Sequence, residues 1–515
     1  MTSKLHTLLL MAAALLMSAC ASIDFDYPRP ESYALTATDD TYLGKQLSEI
    51  GAEYPADYSG FIPISNGIDA LAARLLIAER AERTIDAQYY LIKADTVGLA
   101  FIDTLLKAAD RGVRVRLLLD DVFTKGYDAG MAALDAHPNF EIRIFNPFNR
   151  GAVGRSLGAA SAFTRVNRRM HNKSFTIDNQ ITLIGGRNIA DEYFGAREDA
   201  KFGDLDVVGI GPVVQDISAM FDTYWNHSTA TPVPAFAAMP KDTTEAMKNL
   251  RARLAEARAA VINTPYAEAV GQHIDQYLNA DDSQFVWAPY EVTVDSPDKG
   301  IKKKAKDAAS ITTPLLKSLR GAEQEIIVVS PYFVPRKRGI EAFSEVQRQG
   351  VQVRIFTNSL AANNQFSVHA GYAPARKPLL KNGVELYEVR ADADVEGAEF
   401  IAASGATATL HTKAFIVDRR ELFIGSFNFD PRSAHINTEL GVIIRSPELA
   451  AYFAALTDKR LPTQTYQVFL NDKGKLRWKG YEDGVEVILS KEPQSTWGQR
   501  TKANFMRILP IRGQL

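Results

Sequence analysis

Two histidine–lysine pairs stand in the same local text at two places in the 515-residue chain. His171-Asn172-Lys173-Ser174-Phe175-Thr176-Ile177-Asp178 returns 240 residues later as His411-Thr412-Lys413-Ala414-Phe415-Ile416-Val417-Asp418, so each copy reads H-x-K-x4-D. Seven residues beyond each aspartate the match resumes, as Gly185-Gly186-Arg187-Asn188 and as Gly425-Ser426-Phe427-Asn428. Alternation along a strand places His171, Lys173 and Phe175 on one face, and His411, Lys413 and Phe415 likewise. A histidine beside a lysine makes a poor core and a good anion site. Two such pairs facing one cleft could hold a phosphate: the lysine ammonium groups, the Asn188 and Asn428 amides and the Ser426 hydroxyl would take its non-bridging oxygens. That hold strengthens as charge builds in the transition state. One imidazole can attack phosphorus while the other, protonated, gives a proton to the departing alkoxide. Either role needs an orienting carboxylate, and Asp206 and Glu439, on the strands after the motifs, are expected to supply it. Asp178 and Asp418 complete the catalytic motifs and are expected to brace the site rather than touch substrate. The sequence carries no Cys/His cluster or acidic metal cage, so chemistry without metal or cofactor is expected.

The elements that must position these groups are legible as a duplication. Apolar runs Ile181–Ile184 and Leu422–Ile424 follow the motifs, so each copy reads as a β-hairpin ending at a glycine turn. Upstream, a helix over Leu99–Arg111 ends at Gly112 and leads into the strand Val113–Leu119. In the second half a helix ending at Gly350 leads into Val351–Phe356, at an offset of 238 against 240 at the motifs. The repeat therefore spans whole lobes, and alternating strands and helices make each an α/β lobe with a mixed sheet flanked by helices. A pseudo-twofold pairing would give one shared active cleft. Asp204-Leu205-Asp206 aligns with Asn437-Thr438-Glu439 in this reading.

The expected organisation is a targeting segment over 1–19, a tether over 20–58, lobe 1 over 59–230, a helical insertion over 231–290, lobe 2 over 291–460 and a tail over 461–515. Composition is that of a globular protein, 46% hydrophobic and 23% charged, and the formal charge of −2 argues against a dedicated nucleic-acid binder. Lys4 precedes a short apolar run that ends in Leu16-Met17-Ser18-Ala19-Cys20, which resembles the lipobox of bacterial lipoproteins. Cys20 is the single cysteine, so lipidation there is expected, and by lipoprotein sorting habit Ala21 after it points to the outer membrane. In the tail, Trp497, Thr501, Phe505, Ile508 and Leu509 share one helical face with basic residues nearby, which suits either a membrane surface or the protein's own core.

The paired motifs resemble those of the phospholipase D superfamily, over about residues 60 to 460. The resemblance implies a covalent phosphohistidine intermediate passed to water or an alcohol, with His171 as nucleophile and His411 as general acid. The text is most similar to bacterial cardiolipin synthases of the third type, through Arg165–Met170, Gly185–Ile189, Thr357–Asn363, His369-Ala370-Gly371-Tyr372 and Gly425–Ser433. That similarity implies phosphatidyl transfer to phosphatidylglycerol, with phosphatidylethanolamine as a candidate donor, at a membrane surface of the bacterial envelope. A hydrolytic phospholipase D would use the same residues with water as acceptor. A nuclease would want a more basic surface, and a lipoprotein that only binds lipid would not need two intact motifs.

Overall fold

The computed structural model describes residues 23–150, 163–197, 199–278, 284–301, 309–393, 407–482 and 484–507; the targeting segment with Cys20, and Ile508 and Leu509, lie outside them. Helix α1 (Tyr42–Gly51) precedes the first lobe. Lobe 1 then runs through β1 (Ser59–Ile64), α2 (Gly67–Glu79), β2 (Thr84–Tyr89), α3 (Thr96–Asp110), β3 (Arg114–Asp120), α4 (Asp128–Asp135), β4 (Phe140–Phe145), β5 (Ser174–Ile177), β6 (Ile181–Gly185), β7 (Ala200–Gly203), β8 (Asp206–Ile210), α5 (Pro212–Trp225) and β9 (Ala230–Pro232). Two helices follow, α6 (Thr243–Val261) and α7 (Pro265–Leu278), then β10 (Val286–Ala288). Lobe 2 runs through β11 (Tyr290–Val294), α8 (Thr312–Arg320), β12 (Glu325–Val329), α9 (Arg336–Arg348), β13 (Gln352–Asn358), α10 (Phe366–Tyr372), β14 (Glu385–Val389), β15 (Thr407–Leu410), β16 (Ala414–Val417), β17 (Glu421–Gly425), β18 (Leu440–Ile444) and α11 (Pro447–Gln464). The tail adds β19 (Thr465–Leu470), β20 (Leu476–Glu482), β21 (Val485–Leu489) and α12 (Trp497–Met506).

The two sheets repeat one another strand for strand: β1-β8-β6-β5-β2-β3-β4-β9 in lobe 1 against β11-β18-β17-β16-β12-β13-β14-β19 in lobe 2. In each, three parallel strands joined by helices (β2-β3-β4 and β12-β13-β14) continue into antiparallel hairpin strands, so the duplicated mixed α/β architecture read from the repeat is present. Phe61, Val207, Phe221 and Trp225 of lobe 1 share one buried cluster with Ile327, Ile416, Leu422 and Val442 of lobe 2. Each such side chain contributes roughly 1.5–3 kcal/mol on full burial, which fixes the lobes face to face and with them the motifs.

Two boundaries differ from the expectation. Residues 24–58 are not a free tether: they strap lobe 1. Buried Arg116 and Arg143 have more donors than their neighbouring carboxylates take up, and they donate to the carbonyls of Ser32 at 2.8 Å and Pro30 at 2.6 Å. Helix α1 begins at a Thr41 cap and is part of the same strap. The tail is likewise not an appendage, because β19–β21 extend the lobe 2 sheet. Pro462 sits inside α11 rather than ending it. The insertion does form two helices, held on lobe 1 by Arg251 on Asp110 and by the Tyr266 hydroxyl on the Phe194 carbonyl. Among the described residues no helix is long and apolar enough to cross a membrane.

Candidate active site

Each motif histidine is pinned by its backbone to the opposite lobe. The His171 N–H donates to the Thr438 carbonyl at 2.9 Å, and the Thr438 N–H donates to Arg169 in return. In lobe 2, β15 pairs in parallel with β7 of lobe 1, and the His411 N–H donates to the Gly203 carbonyl at 2.7 Å. The residue after each of those cross-lobe partners is acidic, and it takes the ring. His171 Nδ1 lies 2.8 Å from Glu439 Oε2, and His411 Nδ1 lies 2.5 Å from Asp204 Oδ2. Each histidine is therefore oriented by a carboxylate from the other lobe, and neither lobe alone holds a complete pair.

Glu439 is where the sequence placed it; the partner of His411 is Asp204, not Asp206. Asp206 lies opposite Gly185 on β8, buried between Arg74 at 2.8 Å and Arg187 at 3.2 Å, and its charge is spent on holding those guanidinium groups. Gly441 lies opposite Gly425 in lobe 2, so Gly441 is the counterpart of Asp206 and Asp204 the counterpart of Glu439. The slip is two residues. A two-residue slip preserves which face a side chain occupies, so strand alternation alone cannot detect it.

Ser426 also has another task than the one expected of it. Its hydroxyl donates to Glu439 Oε2 at 2.5 Å and accepts from the Leu440 N–H, fully buried, so it steadies the carboxylate rather than a phosphate. Ser433 donates to the other oxygen, Oε1, at 2.7 Å. In lobe 1 the Ser426 position is Gly186, and a Cβ there would fall 2.2 Å from Asp204 Oδ1. The shorter aspartate needs that space; the longer glutamate leaves room for a hydroxyl. Gly186 was thus the sequence signal that could have located Asp204.

Lys173 and Lys413 are both buried, and they are used differently. Lys173 Nζ donates to the His171 carbonyl at 2.5 Å and lies 5.5 Å from the Tyr90 ring centroid. Lys413 Nζ also donates to its own histidine's carbonyl, and in addition lies 2.7 Å from Nδ1 and 3.1 Å from Nε2 of the His411 ring. Burial, with the mutual repulsion of the two ammonium groups, lowers Lys173 to about 7; burial lowers Lys413 to about 8. Burial and then Lys413 push His411 down to about 3, while burial lowers His171 against the pull of Glu439. Burial would raise both carboxylates, but Lys413 and His411 draw Asp204 to about 2, and His171 and Lys173 keep Glu439 below its usual range. The resting site therefore has two neutral imidazoles, two anionic orienting groups, and its mobile protons on the lysines.

Both histidines line one cleft together with Asn188, Asn428, Tyr90, Tyr193 and Arg432. Asn188 Nδ2 is 2.9 Å from the Tyr193 hydroxyl, and the Oδ1 atoms of Asn188 and Asn428 are buried without a partner. Turning the Asn188 amide lets Tyr193 donate to Oδ1 and frees Nδ2 for a phosphate oxygen, an equally good network. Tyr90 packs edge-on to His171 at 5.0 Å; Tyr193 packs edge-on and Phe202 face-on to His411, at 5.0 and 5.5 Å. Asp178 and Asp418 are remote from the cleft. Each ends its motif strand at positive φ, +49° and +52°, in a tight hairpin turn. Asp178 accepts the backbone N–H groups of Glu82, Arg83 and Thr84, and Asp418 those of Glu323, Gln324 and Glu325, which ties the motif strand to the entry of the adjacent strand. Sequence reasoning also missed Tyr193, Phe202 and the Ser433 contact, which depend on tertiary packing.

Residues 76–225 and 315–460 match the family model described as "Cardiolipin synthase, PLD-like domain". Cardiolipin synthase C of Escherichia coli (strain K12) is 40% identical over 477 residues, covering 91% of this chain and 98% of that protein. An uncharacterized protein of Helicobacter pylori (strain ATCC 700392 / 26695) is 29% identical over 490 residues, covering 92% of each. The crystal structure of phosphatidylserine synthase from Haemophilus influenzae Rd KW20 superposes with a TM-score of 0.57 at 13% identity, over 91% of this chain and all of that one, so the fold is shared.

Proposed function

The chain belongs to the cardiolipin synthase, PLD-like domain family, and from that premise we propose that it is a phosphatidyltransferase that makes cardiolipin through a phosphohistidine. The observation that carries this reading is the crossed pair: two neutral imidazoles, each fixed through Nδ1 by the other lobe's carboxylate, line one cleft, with Lys173 and Lys413 buried behind them against the His171 carbonyl and the His411 ring. His171 Nε2 attacks the phosphorus of a phospholipid donor, and the bond from phosphorus to the headgroup oxygen breaks. His411 relays the Lys413 proton to that oxygen through Nε2. A hydroxyl of phosphatidylglycerol then attacks the same phosphorus, its proton passes through His411 back to Lys413, and the nitrogen–phosphorus bond breaks. Lys173 and Lys413 hold the non-bridging oxygens, with Asn188 and Asn428 beside them.

Phosphatidylglycerol is the acceptor in this reading and phosphatidylethanolamine a donor. Work at a lipid surface is supported by α12 and β21. Trp497 is 75% exposed and Phe505 62% on α12, Val485 and Ile488 are exposed on β21, and Lys491 and Lys502 are exposed as well. Exposed aromatic and aliphatic side chains together with exposed lysines suit an anionic interface. Lipidation of Cys20, with attachment on the periplasmic side of the outer membrane, rests on the Leu16–Cys20 text.

The test is product analysis with labelled phosphatidylglycerol, with and without phosphatidylethanolamine, in mixed micelles with the full chain. Labelled cardiolipin is expected, its yield altered by the second lipid. Phosphatidic acid as sole product would make the protein a hydrolytic phospholipase D. The intact mass of the protein extracted from membranes should begin at an acylated Cys20, and a free thiol there would remove the lipoprotein reading.

A further inference from the structure

The catalytic cleft shares four wall residues, Tyr90, Leu91, Lys93 and Phe123, with a second pocket of about 240 Å³ in lobe 1. That pocket runs between α3, α4 and the inner face of β3, and its wall is mainly apolar, with Leu99, Ile102, Leu119, Leu134 and Ile142. Its far side is closed by Leu250 and Leu254 of α6, from the insertion that the repeat does not duplicate. Protein interiors are close-packed, with few voids larger than a water molecule, so an apolar space of this size beside a charged cleft is a built feature. Of the polar side chains in its wall, Arg253 is exposed on α6, Lys93 pairs with Glu192 and the Tyr127 hydroxyl accepts the Ala94 N–H. Asp120 accepts from the Val122 and Met170 N–H groups and from Arg169, and the Thr124 hydroxyl donates to the Asp121 carbonyl.

The junction sits one ring from the chemistry. Tyr90 packs against His171 on one side at 5.0 Å and against Phe123 on the other at 5.6 Å, and the Phe123 ring is half exposed at the rim. Lys93, paired with Glu192, marks the polar edge of the same opening. A glycerophospholipid whose phosphate lies against His171 has its glycerol esters within a few bonds of that junction. We propose that this pocket receives one fatty-acyl chain of the phosphatidyl donor, threaded past Tyr90 and Phe123, so that the donor is held by its tail as well as by its phosphate. The proposal rests on the phosphatidyltransferase reading above and extends it to a residue-level subsite that lobe 2 does not repeat.

The experiment compares dibutyryl, dihexanoyl and dioctanoyl phosphatidylglycerol below their critical micelle concentrations, so that chain burial in the protein is read apart from partition into a lipid surface. For the wild-type full chain, kcat/KM should climb roughly fourfold per methylene of one buried chain. Gly130→Phe places a ring into the pocket from α4, where a Cβ meets nothing within 4 Å and a non-glycine residue favours the helix. Leu250→Trp fills it from the opposite wall. Both variants should flatten the ladder, so that the dioctanoyl-to-dibutyryl ratio falls at least tenfold. A photoreactive diazirine at the end of the donor's acyl chain should label peptides of α3, α4 or α6 in the wild type and lose that label in Gly130→Phe. A wild type that turns over all three donors with equal kcat/KM, or a label confined to other elements, overturns the pocket and leaves the enzyme reading standing. A wild type that turns over no diacyl donor overturns the enzyme reading itself, before either variant is assayed.

Discussion

The two halves of the active site solve one problem with different parts. Around His171 the orienting acid is Glu439, long enough to admit the hydroxyls of Ser426 and Ser433 on its two oxygens, and Lys173 donates to the His171 carbonyl without a hydrogen bond to the ring. Around His411 the acid is Asp204, short enough to demand a glycine at 186, and Lys413 lies directly against the ring nitrogens. The first half presents a neutral imidazole whose ring is not shared with a lysine, which is what an attacking nitrogen needs. The second half couples its imidazole to a stored proton, which is what a general acid needs. Duplication supplied two equal histidines; the side chains around them made the two unequal.

The largest expected effect tests that inequality at the rings. His171→Asn should abolish the covalent phosphatidyl-enzyme and reduce turnover by on the order of 10⁴-fold or more, since an amide cannot replace the attacking nitrogen. His411→Asn should slow formation of the intermediate and leave a species that rapid quench and mass spectrometry can trap on His171. Donors with leaving groups of low pKa should partly rescue His411→Asn and give nothing to His171→Asn, because they need no proton. A phosphoryl group trapped on His411 would invert the comparison while leaving the reaction class intact.

The next effect is smaller and separates the two carboxylate settings. Gly186→Ser drives a side chain into the place of Asp204 Oδ1, so it should resemble Asp204→Asn, with kcat down about 10²–10⁴-fold as His411 loses its orientation. Ser426→Gly removes one hydrogen bond to an ionised group, worth roughly 1.5–3 kcal/mol, and should reduce kcat by about 10- to 100-fold. Equal losses in the two variants would mean that the glycine and the serine are interchangeable spacers. Far-ultraviolet circular dichroism of both proteins separates lost orientation from lost fold.

Much of this was legible in the text because a repeat doubles every signal. The motif residues, the lobes, the hairpins and the general order of the sheets follow from two registers of one pattern, and Glu439 follows from its place after the second motif. Asp204 was missed because the loop before β8 carries extra residues in lobe 1, and periodicity of two is blind to a slip of two. Ser426 was assigned to phosphate because a hydroxyl beside an anion site has the right chemistry; only its burial against Glu439 shows which anion it serves. The strap of residues 24–58 carries no hydrophobic period, since its bonds to Arg116 and Arg143 run through backbone carbonyls. The acyl pocket lies outside both motifs and needs α6 in place before it exists.

The smallest expected effect concerns what the buried lysines do to stability and pH dependence. Lys173 falls from 10.5 to about 7 and Lys413 to about 8 on folding, chiefly through burial. Between those values and 10.5 the unfolded chain binds more protons than the folded one, so these two groups make stability rise with pH across that window. Below about pH 7 their penalty is fully present. Lys173→Met removes the buried charge, partly offset by the hydrogen bond lost at the His171 carbonyl. A net gain on the order of 1 kcal/mol at pH 6–7 is expected, seen as a thermal midpoint about 1–3 °C higher, and it should shrink toward pH 9–10. In the wild type, kcat/KM should fall above about pH 7–8 as the anion-holding charge is lost, while kcat should persist to higher pH, because bound lipid phosphate keeps both lysines protonated. Lys413→Met should add a second loss that Lys173→Met lacks: a steeper dependence on leaving-group pKa, since the proton of His411 is stored beside it. Equal leaving-group slopes in the two variants would erase the distinction between the halves and return the lysines to a shared, purely electrostatic role.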